Sequence, residues 1–190
     1  MDRKIVTVVS GLPRSGTSMM MRMLEAGGME TLTDEIRTAD ADNPRGYYEF
    51  ERVKQLQHDQ SWLNEARGKA VKIIAALLKY LPPDYAYKVI FLRRNMREIL
   101  ASQKQMLVRR GEPADAVSDE KMARLFQAHL EQVEAWLAAQ PNVEVLYVDY
   151  KAVLKEPLEH ARRIGRFLGL ALDAASMARA VDTSLYRQRQ

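Results

Sequence analysis

Residues Ser10–Met20 read SGLPRSGTSMM, and they separate two segments of opposite character. Before them runs Ile5-Val6-Thr7-Val8-Val9, apolar, β-branched and without alternation, which predicts a strand buried on both faces. After them, Ser18–Glu25 is rich in Met and Leu and predicts a helix. A strand, a tight loop holding Gly11 and Gly16, and a helix start together make an anion site. The free N–H groups of the first helical turn point into the loop, and the helix dipole adds partial positive charge there. Gly16 allows the backbone to approach an oxyanion closely. Arg14, Ser15, Thr17 and Ser18 supply side-chain donors at the same place. A turn that only joined strand to helix would not need so many donors.

The spacing Gly11-x4-Gly16 equals the opening of the nucleotide phosphate loop, G-x-x-x-x-G-K-[ST]. The next position departs from it. Thr17 stands where that motif has the Lys that grips the β- and γ-phosphates, and the cation is instead Arg14, inside the loop. The loop is therefore expected to hold one phosphate- or sulfate-like group, not a magnesium triphosphate.

The totals narrow the class. A chain of 190 residues reads as a single domain, 1–190. With 47% hydrophobic and 28% charged residues, the composition is that of an ordinary soluble protein. No apolar run approaches the ~18 residues of a membrane span. The five apolar-type residues after Arg3 and Lys4 are too few for a secretory leader. No Cys is present, which excludes disulfides, thiolate metal sites and a Cys nucleophile, and fits a cytoplasmic setting. A net charge of +4 suits a binder of small anions, and no basic run interleaved with aromatics points to nucleic acid.

Two further buried strands are expected. Lys88–Leu92, KVIFL, runs into Arg93-Arg94-Asn95 and then a helix from Met96 to about Arg110; Val143–Val148, VEVLYV, ends at Asp149-Tyr150. Met29–Leu32 and the segment around Ala70–Ile74 are candidates for two more. In a doubly wound sheet the strand ends that lead into helices open on one edge, where ligands bind. The first loop and the Arg94 turn should therefore share a crevice. Arg93 and Arg97 are expected to add positive field there. Tyr47–Asn64 predicts an amphipathic helix after the break Asn43-Pro44-Arg45-Gly46, with Glu49 in its first turn. Ile73–Leu81 predicts another, and Asp119–Gln140 a long helix with a core stripe of Met122, Leu125, Phe126, Leu130, Val133 and Leu137 behind a Ser118 cap. A helix before Leu168-Gly169 and a last one at Asp173–Val181 complete the chain. His58, His129 and His160 fall in helical patterns and read as surface residues.

Pro13–Ser18, PRSGTS, resembles the 5′-phosphosulfate loop, P-[KR]-S-G-T-[ST], of sulfotransferases that use 3′-phosphoadenosine 5′-phosphosulfate (PAPS). Arg94-Asn95 with Ser102 eight residues on resembles that family's 3′-phosphate motif, R-[ND]-x-x-[DE]…S. Asn43–Glu49, NPRGYYE, is similar to an N-P-x-G-[YF]-x-E pattern of bacterial relatives. Tyr150, Pro157 and Phe167 keep the spacing of the family's adenine-side Tyr, its Pro and its F-L-G. The resemblance runs from Val6 to Leu170. It implies an α/β, P-loop-like three-layer fold with a mainly parallel sheet flanked by helices. It implies a PAPS-dependent sulfotransferase acting on a hydroxyl or amine of a small-molecule or peptide acceptor, without a metal. Arg14, Ser15, Gly16, Thr17 and Ser18 would hold the 5′ group, Arg94 and Ser102 the 3′-phosphate, and Tyr150 the adenine. Arg14 and Lys72 would stabilise charge on the leaving oxygen, and Glu49 would be the base, with Glu35 as its rival. The chain departs from the family in lacking the Pro and the His that follow the Lys72 position. It also lacks the late glycines of the eukaryotic 3′-phosphate loop, in whose place stand only Arg187 and Arg189. Those departures leave a P-loop nucleotide kinase or NTPase, or a non-catalytic nucleotide-binding relative, as the alternatives.

Overall fold

The structure is a computed structural model that describes residues 5–34, 46–114 and 116–182. Five strands form its sheet: β1 (Ile5–Gly11), β2 (Thr31–Leu32), β3 (Ala70–Lys72), β4 (Ala86–Arg93) and β5 (Val143–Asp149). They lie in the order β2-β3-β1-β4-β5, and every pairing is parallel. The sheet is flanked by α1 (Thr17–Ala26), α2 (Met96–Arg109), α3 (Asp119–Ala139), α4 (Tyr150–Lys155), α5 (Pro157–Leu168) and α6 (Ala174–Arg179). None of the helices described is long and apolar enough to cross a membrane.

The unbroken apolar runs of β1 and β4 follow from this layering. Val6, Val8, Val89 and Phe91 face a core that contains Trp62, Leu63 and Leu78. Their neighbours Val9, Ile90 and Leu92 face the opposite core, built on Met20, Met23 and Leu24 of α1 with Val153 and Ile164. A strand covered on both faces has no polar side to show. The chain leaves β1 for β2 and β3 on one side, then crosses to β4 on the other. The order of the sheet thus reverses between β1 and β4, where a crevice opens beyond the strand ends. Gly11, the last residue of β1, is in register with Leu92 next to the end of β4.

Four expectations fail here. Residues 47–64 do not form one helix. Residues 46–50 carry no regular structure, and two short 3-10 turns follow at Glu51–Gln55 and Ser61–Asn64. Asp59 interrupts any helix by accepting from both the N–H and the hydroxyl of Ser61, at 3.0 and 2.7 Å. The apolar positions still reach the core, since Val53, Leu56, Trp62 and Leu63 are all buried. The segment after β3 is likewise a 3-10 turn, Ala75–Tyr80. Of the stripe expected on α3, only Val133 and Leu137 are buried, and Leu125 is 55% exposed. At about 1.5 Å per residue that helix runs ~31 Å, whereas the seven residues of β5 span only about 23 Å. Its N-terminal half therefore outruns the sheet. Finally, β5 is the edge strand, and only Val148 in it is buried.

Candidate active site

The loop from Leu12 to Gly16 starts where β1 ends, and its shape depends on two glycines. Gly11 has φ +150°, and a Cβ there would lie 2.5 Å from Ser15 Oγ and 2.8 Å from the Leu92 carbonyl. Gly16 has φ +105°, and its Cβ would lie 2.4 Å from the Tyr150 ring. Between them Arg14 also adopts a left-handed backbone, φ 68°. Gly16 is the N-cap of α1 and no side chain caps that helix. Its first-turn N–H groups therefore face the loop as donors for an anion. The hydroxyls of Ser10 and Ser15 are buried without a hydrogen-bond partner, a state that buried polar groups rarely keep unless something else completes them.

The second cluster comes from the end of β4. Arg94 donates from Nη1 to the Arg14 carbonyl at 3.0 Å, and from Nε to Glu98 at 3.0 Å. Arg14 in turn donates from Nε to Ser102 Oγ at 2.9 Å. Groups 80 and 88 residues apart in the chain are thus in direct contact. The Arg94 guanidinium lies 4.5 Å from the centre of the Tyr150 ring. Burial pushes the Tyr150 hydroxyl up, against the pull of Arg94, so the ring stays neutral. A cavity of about 430 Å³ opens over these residues. Lys72 and Glu49 line its other side, with Lys72 Nζ 3.7 Å from Glu49 Oε1. The Tyr47 carbonyl accepts from both Lys72 Nζ and Ser18 Oγ. Glu49 is not in a helix turn as expected. Its carbonyl accepts from Thr33 Oγ1 at 2.9 Å and from the Asp34 N–H at 3.2 Å, which holds this stretch beside the end of β2.

Residues 4–189 match the sulfotransferase domain family. The chain belongs to that family. Among solved structures, this sulfotransferase is similar to mouse SULT7A1 complexed with PAP, at 18% identity and TM-score 0.57, covering 99% of this chain and 67% of the other. It is similar to STF1 from Mycobacterium tuberculosis, at 20% identity and TM-score 0.61, covering 97% and 73%. It is also similar to the sulfotransferase domain from the curacin biosynthetic pathway, at 11% identity and TM-score 0.51, covering 93% and 77%. At such identities the likeness concerns the fold. No curated protein matches the chain.

Of the residues singled out in the sequence of this sulfotransferase, Arg14, Gly16, Thr17, Ser18, Glu49, Lys72, Arg94, Ser102 and Tyr150 line one cavity. Ser15 lies beneath it, 1% exposed. Glu35, Arg187 and Arg189 fall outside the described residues. Arg93 turns away: it pairs with Glu134 of α3 at 2.8 Å and stacks on Tyr147 of the edge strand at 3.9 Å. Arg97 is exposed, and neither it nor any His lines the cavity; His58 is exposed and the other two are half-buried. No group of three His, Asp or Glu able to hold a metal occurs among the described residues. Glu98 fills the acidic position of the Arg94 motif, and the sequence alone assigns it no role. It is 2% exposed and orients Arg94 through its Nε. Its signal was present, since a carboxylate four residues after Arg94 lies on the same helix face.

Proposed function

We propose that this sulfotransferase uses PAPS as donor, with the Arg14 loop on its 5′ side and Arg94 with Ser102 on its 3′-phosphate. The observation that carries this reading is the contact chain Arg94–Arg14–Ser102 at the switch point of the sheet. Two anion-binding clusters face one cavity, and a nucleotide with an anion at each sugar position matches that pair. The residues fit such a donor on their own chemistry. The uncapped start of α1 and the unpartnered Ser15 hydroxyl present donors to one anion, and the fork of Arg94 to another. When bound, the donor supplies an activated sulfuryl group whose S–O bond to the 5′-phosphate breaks as a bond to the acceptor O or N forms.

The chain's own groups do the rest. Arg14 and the α1 N–H groups stabilise the negative charge that grows on the 5′-phosphate side, and a preorganised donor of this kind contributes about 3–4 kcal/mol. Arg94 and Ser102 fix the register of the nucleotide, which is the positioning that a loose, in-line transfer depends on. Glu49 takes the proton from the acceptor hydroxyl or amine. Lys72, beside it, steadies the carboxylate and faces the transferring group. The acceptor is a small molecule or peptide entering over Tyr47, Glu49 and Met106.

Titration calorimetry on the full chain tests the reading. Adenosine 3′,5′-bisphosphate should bind without a divalent cation, and magnesium-ATP should bind far more weakly. The opposite preference would overturn the assignment and favour a kinase or NTPase.

A further inference from the structure

The stretch 46–50 holds an odd residue. Tyr48 has φ 53°, the left-handed region that bulky side chains avoid at a cost of about 1–3 kcal/mol. Something must hold it there. Its hydroxyl donates to Glu25 Oε2 at 2.5 Å, and Glu25 lies in α1, the helix that begins at the anion loop. Burial and the Glu25 carboxylate push the Tyr48 hydroxyl up to about 12, so it remains a donor through neutral pH. The residues on either side of this turn are the ones that meet Lys72. The Tyr47 carbonyl accepts from Lys72 Nζ, and the Glu49 carboxylate lies 3.7 Å from it. Tyr47 itself is 5% exposed, while Tyr48 is half-buried and its acceptor Glu25 is exposed.

We propose that Tyr48 is a positioning residue: bonded to Glu25, it latches a strained turn to α1 so that the Tyr47 carbonyl and the Glu49 carboxylate bracket Lys72. This deepens the reading of Lys72 and Glu49 as a working pair and rests on it. The latch ties the placement of Lys72 to the helix that carries the phosphosulfate loop. With the hydroxyl gone, the turn relaxes toward an ordinary backbone, the Tyr47 carbonyl swings away, and Lys72 loses that carbonyl as an acceptor.

The test needs no acceptor substrate. Full-length protein is treated with an amine-acetylating reagent, and the rate of Lys72 modification is read by peptide mass spectrometry. Tyr48→Phe and Glu25→Ala should each speed that modification about tenfold, the effect of one hydrogen bond to a charged group. The double variant should be no faster than either alone, since both break one contact. Glu25→Gln, which keeps an acceptor, should behave as the wild type. Glu25→Ala probes the same bond without touching the left-handed turn. Wild-type labelling rates in both single variants, or additive effects in the double, would overturn the latch. Binding of adenosine 3′,5′-bisphosphate is measured in parallel and should stay within about twofold, because Arg14 and Arg94 are untouched. If the wild-type chain failed to bind it, the proposed function would fall while the labelling comparison still judged the latch.

Discussion

Two helices begin where the central strands end, and they begin differently. At α1 the N-cap is Gly16, left-handed and without a side chain, and no other side chain caps the helix. At α2 the N-cap is Asn95, with φ −52° and ψ 130°, whose side chain accepts from the Arg97 N–H at 2.9 Å. The first helix leaves its own donors open toward the cavity. The second has one of its donors taken by its own cap and sends side chains there instead, Arg94 from just before it and Ser102 from its second turn. A backbone terminus can wrap one anion closely but cannot reach far. A guanidinium and a hydroxyl can reach, but they need something to aim them. Glu98 supplies that aim from within α2.

The comparison can be broken at four points, with nucleotide affinity as the common measure. Gly16→Ala should do most. It forces an L-residue into φ +105° and drives a Cβ onto Tyr150. We expect a loss on the order of several hundredfold in affinity for adenosine 3′,5′-bisphosphate by calorimetry, with about 2 kcal/mol of stability lost in denaturant unfolding. Arg14→Ala leaves the backbone donors in place and removes the charge; a loss of about a hundredfold in affinity is expected, together with turnover. Retained affinity and turnover would refute the loop assignment. Glu98→Ala touches no ligand yet removes the carboxylate paired with a guanidinium that is 9% exposed. It should cost about 3 kcal/mol of stability and roughly tenfold in affinity. Asn95→Ala should do least, lowering stability by about 1 kcal/mol as the loss of a cap does, with affinity within about twofold. An Asn95 variant that bound as poorly as the Arg14 variant would erase the distinction between the two helix starts.

Much of the site could be read before any coordinates, because its signals are local. A buried strand, two glycines and a cluster of donors in eleven residues leave little freedom, and Arg94 with Ser102 follows the same logic at the next strand. The segment 47–64 misled for the converse reason. Val53, Leu56, Trp62 and Leu63 carry a helical spacing and do enter the core, but Asp59, Thr33 and Asp34 claim the backbone groups that a helix would need. Spacing reports which side chains are buried and is silent on which partner takes each N–H. The same limit explains α3, whose stripe continues past the sheet that would cover it, and β5, whose apolar run gives no sign that it lies at an edge.

Short-range pattern was enough to mark the strands β1 and β4, the donor-rich loop between Gly11 and Gly16 and the residues of the two cationic clusters, since each rests on residues within about ten positions of one another, and the family resemblance implied the mainly parallel sheet. The contact of Arg94 with the Arg14 carbonyl, the pairing of Lys72 with Glu49, the aim that Glu98 gives to Arg94 and the left-handed turn at Tyr48 came from folding alone. They join residues from different strands and helices, and which of these end side by side is settled by the order of the sheet and the covering of both its faces, which no local stretch encodes.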